Sequence, residues 1–457
     1  MLSGLFLTAA LLAPCADPVT PPPSLPDIPI PALPAGQGNA QTPPGTLPPV
    51  FGPGTQTPMA PPPRPEGVPP APGTEMAPSY AIMTEPEAPA KKSLNNPHQG
   101  PSYSLWGGVE YSLFFLKNGP SPNVLLQSTP AGGGATNVIG GVNDDFGQAN
   151  GFRFNAGLWL NDCHTLGLGI GGFMVEQRAV LGAANSDAAG NPTLSRPFTN
   201  AVVVQAAQAL VSSPGTLSGT FFSRSSSRLS GAEIYLINNL HHDKAMTIDL
   251  LLGGTYVDLD ESINLTQQTS RIGGVPLSFP GFPNNPAITG ITINDHFRTR
   301  NQFYGGTMGV RGEYRLGAAF VNLTAKVGLG NNRQTIDIDG SSQATGIGAG
   351  AVPGGFLAVT GGNIGRSTSN RFSILSEAGA AIGFQVASFA RISVGYNFLY
   401  LNNVVRPGSQ IDTVINTRLV PTSSNFNSLT GIASPVPTGK QDDFFANSIN
   451  FGIELQF

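Results

Sequence analysis

Strict two-residue alternation of apolar and polar side chains recurs ten times between Tyr103 and Phe457, and it confines this chain to a fold built of strands. The last segment, DDFFANSINFGIELQF (442–457), shows the pattern. Phe445, Ile449, Phe451, Ile453, Leu455 and Phe457 share one parity, and Ala446, Ser448, Asn450, Gly452, Glu454 and Gln456 share the other. Successive strand side chains point to opposite faces, so the strand has one apolar face and one mostly polar face. The pattern also runs through YSLWGGVEYSLFFLK (103–117), GFRFNAGLWL (151–160), LGLGIGGFMV (166–175), SGAEIYLINNL (230–240) and MTIDLLLGGTY (246–256). FYGGTMGVRGEY (303–314), FVNLTAKVGLG (320–330), RFSILSEAGAAIGF (371–384) and ARISVGYNFLYL (390–401) complete the set.

Alternation alone fits a soluble sandwich with the apolar face inward, or a transmembrane barrel with that face turned to lipid. The connections separate the two. Long spans at 118–150, 179–227, 259–296, 335–369 and 403–441 alternate with short ones at 161–164, 241–244, 315–319 and around Ala387-Ser388. Long and short connections in turn predict an all-β, antiparallel up-and-down transmembrane β-barrel of about 10 strands, possibly 12. Its short turns and both chain ends are expected in the periplasm, with the long loops extracellular. AVVVQAAQALV (201–211) reads as a loop helix or an extra strand.

Charge follows the same parity. The polar faces collect Glu110, Arg153, Glu233, Asp249, Arg311, Glu313, Lys326, Glu377, Arg391 and Glu454, all predicted to face the lumen. A Lys or Arg facing lipid at mid-bilayer costs about 2–4 kcal/mol, so charges gather inside. Phe457 falls on the lipid face at the rim. Together with Phe451, Ile453 and Leu455 it reads as a C-terminal signal for the barrel-assembly machinery.

The N-terminus, MLSGLFLTAALLAPCAD, has an apolar stretch followed by small residues, as in a secretory signal over residues 1–16. Leu12-Ala13-Pro14-Cys15 also approaches a lipoprotein box, with Pro14 out of place. Residues 17–101 hold more than half of the 42 prolines. Proline fixes φ and lacks an N–H, so this stretch is expected to be a disordered spacer in the periplasm. The barrel is expected over 102–457.

Composition removes several function classes. Charged residues are 11% of the 457, and the net charge is −4. Neither fits a nucleic-acid binder, which needs a basic patch. Two cysteines, Cys15 and Cys163, and five histidines cannot build a thiolate zinc site. With Cys15 in the leader, the mature chain is expected to lack an internal disulfide.

The segments LWGGVEYSLFFLKNGP, FRFNAGLWLNDC, SRLSGAEIYLINNL, DLLLGGTYVDLDESI and FRTRNQFYGGTMGVRGEY resemble the planctomycete-type family of outer-membrane β-barrel proteins. AKVGLGNNRQTIDIDG, NIGRSTSNRF, VGYNFLYLNNVVRPGSQIDTVIN and DDFFANSINFGIELQF extend that resemblance, in order, to Phe457. It implies an outer-membrane barrel behind a signal and a Pro-rich stretch, and no catalytic residues. The turn at Cys163 departs from it, since relatives tend to hold further cysteines there.

Other clusters read blandly. Asp258, Asp260 and Glu261 could hold Ca²⁺, but they read better as a solvated strand end. Asp295-His296 lies near the presumed outer rim, where barrel proteases use Asp and His. No matching acidic pair can be placed opposite, so a polar strand entry is the simpler reading. His241-His242-Asp243 reads as a polar turn. Arg298 and Arg300 carry the lipid-facing parity and are read as lying above the bilayer, against anionic headgroups or in a salt bridge. AGGGA (131–135) and GGNIG (361–365) lack the strand-to-helix setting of a phosphate loop and read as turns.

No catalytic, metal or cofactor site is expected, so the chain reads as no enzyme. Eight strands leave an interior filled by side chains, and porins with a water channel need 16–18. The expected function is a structural or surface-interaction role through long polar loops, above a narrow or side-chain-filled lumen. A small-solute pore and a secreted soluble β-sandwich binding protein are the alternatives. Outer-membrane lipid is the expected surroundings, and no nucleic acid or identified surface ligand enters.

Overall fold

The computed structural model describes residues 104–121, 123–426 and 432–457. The signal peptide and the Pro-rich segment of the sequence reading lie outside the described residues. Ten long strands form the frame: β1 (Leu105–Leu116), β2 (Gln148–Trp159), β3 (Leu166–Val175), β4 (Leu217–His242) and β5 (Met246–Arg271). β6 (Gly290–Leu316), β7 (Ala319–Thr345), β8 (Gly365–Ala387), β9 (Ala390–Val405) and β10 (Gln441–Gln456) follow. Each pairs antiparallel with the next. β10 returns to β1 from Trp106↔Gln456 to Leu116↔Ala446, so the ring closes.

The apolar parity faces outward. Val109, Leu323, Ile382 and Ile453 are each more than half exposed, as are many of their neighbours on that face. A soluble sandwich would hide this face, whereas a barrel in lipid needs it. Among the described residues no helix is long and apolar enough to cross a membrane. The turns after β2, β4, β6 and β8 lie at one end, together with both termini of the barrel. There Ser104 and Leu105 donate their N–H groups to the Phe457 carbonyl at 2.7 and 3.0 Å.

The strands are unequal. β1, β2 and β3 have 12, 12 and 10 residues, whereas β4 to β7 have 26 or 27. A membrane crossing takes about 9–11 residues, and 27 extended residues reach about 90 Å. The surplus stands at the long-loop end as a curved wall. One edge is Arg178–Asn185 paired to β4, and the other is the start of β8, which meets β9 only from Leu375↔Leu401 onward. The expected long spans therefore shrink: 259–296 becomes a connection at 272–289, and 335–369 becomes 346–364. Residues 205–212 form a strand against Thr193–Asn200, outside the ring of ten.

The long connections do not spread as polar loops. All five fold against the concave face of the wall. Leu126, Phe198, Phe279, Phe356 and Ile415, one from each connection, share a single core with Phe297, Ile336 and Leu265 of the wall. Strands Val124–Thr129, Thr136–Gly140, Thr193–Asn200, Gln205–Ser212 and Val414–Ile415 join across three connections into a second, five-stranded sheet. The polar composition of these spans masks the scattered leucines, isoleucines and phenylalanines that build this core.

Candidate functional site

The inward parity brings charge from eight strands into one layer near the short-turn end. Glu110, Arg153, Glu233, Arg311, Glu313, Lys326, Glu377, Arg391 and Glu454 line an interior cavity of about 210 Å3. Asp249 joins them at a smaller cavity of about 40 Å3 beside the turns. Much of the layer is internally paired. Lys326 Nζ lies 2.6 Å from Glu233 Oε2 and 3.0 Å from Glu377 Oε2. Arg311 reaches Asp249 at 2.7 Å. Glu313 accepts from Arg315 at 2.7 Å and from Arg391 at 2.9 Å, and Arg391 also lies over the Phe320 ring.

Glu110 and Arg153 behave differently. They sit at opposed positions on β1 and β2. Yet among the described residues neither makes an ion pair within 4 Å, and Arg153 instead rests over the Phe173 ring, 5.2 Å from its centroid.

Apolar layers bound the charged one. Toward the short turns, Trp106 and Trp159 lie with ring centroids 5.6 Å apart and pack with Ile237 and Leu251. Toward the long-loop end, fifteen buried residues form a belt across the lumen, drawn from every strand except β7. Phe114, Phe173, Phe303 and Phe444 supply its largest rings.

Two buried ion pairs stand beyond the belt. Arg406 is fully buried, holds Glu261 through two hydrogen bonds at 2.9 and 2.7 Å, and donates to the Asn118 carbonyl at 2.6 Å. Arg196 Nη2 meets Asp295 Oδ2 at 2.9 Å, with the guanidinium between the rings of Phe221 and Phe356. Burial pulls the Arg196 pKa below its ordinary range, and Asp295 opposes the shift. Asp295 Oδ1 accepts from the N–H groups of Phe356, Leu357 and Ala358 at 2.7, 2.8 and 2.9 Å. Sequence reasoning found neither pair, because each joins a strand to a connection far away in the chain.

The remaining clusters resolve into pairs. Asp258 and Asp260 face outward and are each gripped by two hydrogen bonds, from Arg300 and Arg298 respectively. Glu261 faces inward to Arg406, so the three carboxylates do not converge. Asp295 and His296 lie on opposite faces of β6. His296 bonds Asp339 on the outside at 2.7 Å while Asp295 is buried. His241 and the backbone of Ala245 and Met246 hold Asp243 in the turn after β4. Gly132 sits at φ +75° in a hairpin turn, and 361–365 is a turn before β8. Cys163 is not a free thiol. Cys15 lies outside the described residues. Phe451, Ile453, Leu455 and Phe457 stand on the outer face of β10.

A closed ring with an apolar exterior and a charged interior layer defines an integral outer-membrane β-barrel. The family described as "Putative beta barrel porin-7" matches residues 125–457, and the chain belongs to that family. No curated protein sequence matches. Among solved structures, the outer-membrane protease OmpT of Escherichia coli aligns at 12% identity and TM-score 0.39, over 79% of this chain and all of the other. The translocator domain of the autotransporter NalP from Neisseria meningitidis aligns at 10% identity and TM-score 0.23, over 79% of this chain and 90% of that one. A FadL homologue of Pseudomonas aeruginosa aligns at 8% identity and TM-score 0.23, over 80% and 93%.

Proposed function

We propose that this protein is a closed-lumen outer-membrane barrel whose tall wall and folded connections serve a structural or surface-interaction role. The supporting observation is the fifteen-residue apolar belt across the lumen. A hydrophobic constriction excludes water, and an ion crossing it would lose its hydration with nothing to replace it. On this reading the short turns and the Pro-rich linker lie in the periplasm. The wall and its packed connections stand outside the cell, and β10, ending at Phe457, is read by the barrel-assembly machinery. The protein acts as a scaffold, without catalysis: Asp295 is committed to Arg196 and three backbone amides, and His296 points the other way.

The second reading is a small-solute pore, favoured by the charged cavity beneath the belt and by the family's description as porins. Planar-bilayer recordings on the purified full-length protein separate the two. The closed reading expects no stable conductance steps. Steady, reproducible channels would establish the pore and overturn it.

A further inference from the structure

We infer that the interior cavity is a binding site for a small zwitterion, a solute carrying one ammonium and one carboxylate group, reached from the short-turn end. The inference goes beyond the scaffold reading and does not rest on it. It begins with an imbalance in the charged layer. On the side formed by β4 to β8 every charge has a partner, through Lys326 with Glu233 and Glu377, and Arg311 with Asp249. The side formed by β1, β2 and β10 carries Glu110 and Arg153, which have no ion-pair partner among the described residues.

Their geometry keeps them apart. Arg153 leans over Phe173 on β3, while Glu110 leans the other way over Gly452 on β10, where a Cβ would come within 3.0 Å of its Cγ. Both groups are half-buried, and the Arg153 charge still acts on Glu110 through space, but two groups of opposite sign that turn apart leave their direct hydrogen-bonding capacity unused.

A second, independent observation comes from Asn450. It lines the same cavity and is 2% exposed, and neither its amide nitrogen nor its oxygen has a hydrogen-bond partner among the described residues. Buried amides are normally satisfied, so an orphaned one aimed into a cavity points to an occupant with polar atoms. Gly379 and Gly395, also in the lining, supply room where side chains would otherwise fill the barrel. An ammonium group suits Glu110, a carboxylate suits Arg153 as a forked partner, and Asn450 can serve either end.

Both sides of the cavity carry an apolar layer, and entry is assigned to the side where a second cavity adjoins it. The belt closes the cavity toward the long-loop end. Toward the short turns, the smaller cavity shares Arg311, Glu313, Arg391 and Glu454 with the larger one and reaches Thr247 at the start of β5. Its other wall is Trp106 and Trp159, the only two tryptophans in the chain, so native fluorescence reports on this mouth.

The test uses the full-length protein folded in detergent micelles, with 4-aminobutyrate as the zwitterionic probe and butyrate and butylammonium as singly charged controls. Calorimetry and tryptophan fluorescence should show saturable binding of 4-aminobutyrate, at least tenfold tighter than either control. Glu110→Gln and Arg153→Gln should each weaken it at least tenfold, while Arg298→Gln on the outer wall leaves it unchanged. Heat-modifiable gel mobility checks folding of each variant, and the comparison of probes on the unmodified protein stands alone where a variant does not fold. Absence of saturable binding would mean that water alone fills the cavity and overturns the inference. Equal binding of a singly charged probe, or unchanged binding by both folded variants, overturns it as well.

Discussion

At the scale of single residues, burial separates side chains that carry the fold from those that decorate it. Asp295 neutralises Arg196 and gathers three backbone N–H groups. Gly355 makes that approach possible, since a Cβ there would collide with the Asp295 carboxylate. Asp295→Ala would leave a buried guanidinium uncompensated, at a cost of about 3–5 kcal/mol. The connection 346–364 should then be cut rapidly by chymotrypsin while the barrel keeps its folded mobility on unheated gels. Protection equal to that of the unmodified protein would discredit this role. At the opposite end, the exposed Asp243 is held down to about 2, chiefly by His241 and then by the amides of Met246 and Ala245. Its folded pKa lies below the free value of about 3.9. Its stabilisation of the turn is therefore complete above about pH 4 and lost as pH falls through 2. A carboxyl NMR titration of Asp243 with a midpoint near 4 would contradict this.

At the scale of elements, β10 closes the ring and Phe457, the residue after it, completes the seam. The Phe457 carbonyl accepts from Ser104 and Leu105, and its N–H donates to the Leu105 carbonyl at 2.8 Å. Its ring is 63% exposed on the outer face. Deleting Phe457 removes these seam bonds, each worth about 0.5–1.5 kcal/mol net. Where the residue is also an assembly signal, the folded yield in cells should fall more steeply than the stability of the refolded variant in detergent. Equal losses in both measurements would leave Phe457 as a seam residue only. Phe444 is fully buried within the belt, and Phe444→Ala should cost about 3–5 kcal/mol. The loss should appear as a lower temperature for conversion to the heat-denatured gel form.

At the scale of the whole molecule, the barrel holds two kinds of interior. Near the short turns the inside is charged and the outside apolar, as lipid requires. In the tall wall the relation reverses. Asp258, Asp260, Arg298 and Arg300 stand outside, and Val257, Leu259, Ile263 and Leu265 lie buried inside. The upper half is thus built on an apolar core wrapped by the continuing strands. The two halves should fail separately. Mild denaturant should expose the five connections to protease before the barrel loses its heat-resistant mobility, and a single coincident transition would refute that division.

The sequence by itself determined the strands, their parity, their alternating connections and hence the closed antiparallel ring, because a period of two is a local property of neighbouring side chains. It also put ten charged residues on one parity; nine of them line the larger cavity, and Asp249 lines the smaller one. The height of the wall is not read from the sequence, where 259–296 is expected as a connection, although apolar residues switch from even to odd positions between Tyr256 and Val257. Arg298 and Arg300 look misplaced only when that switch is overlooked. What the tertiary structure alone decided is which distant residues meet. Arg406 finds Glu261 across 145 positions, Arg196 finds Asp295 across 99, and five connections of polar composition share one core. That Glu110 and Arg153 make no ion pair within 4 Å among the described residues belongs to the same class, since it depends on what every other strand brings to the lumen. Alternation records which face a residue takes, and only the closing of the ring settles what that face encounters.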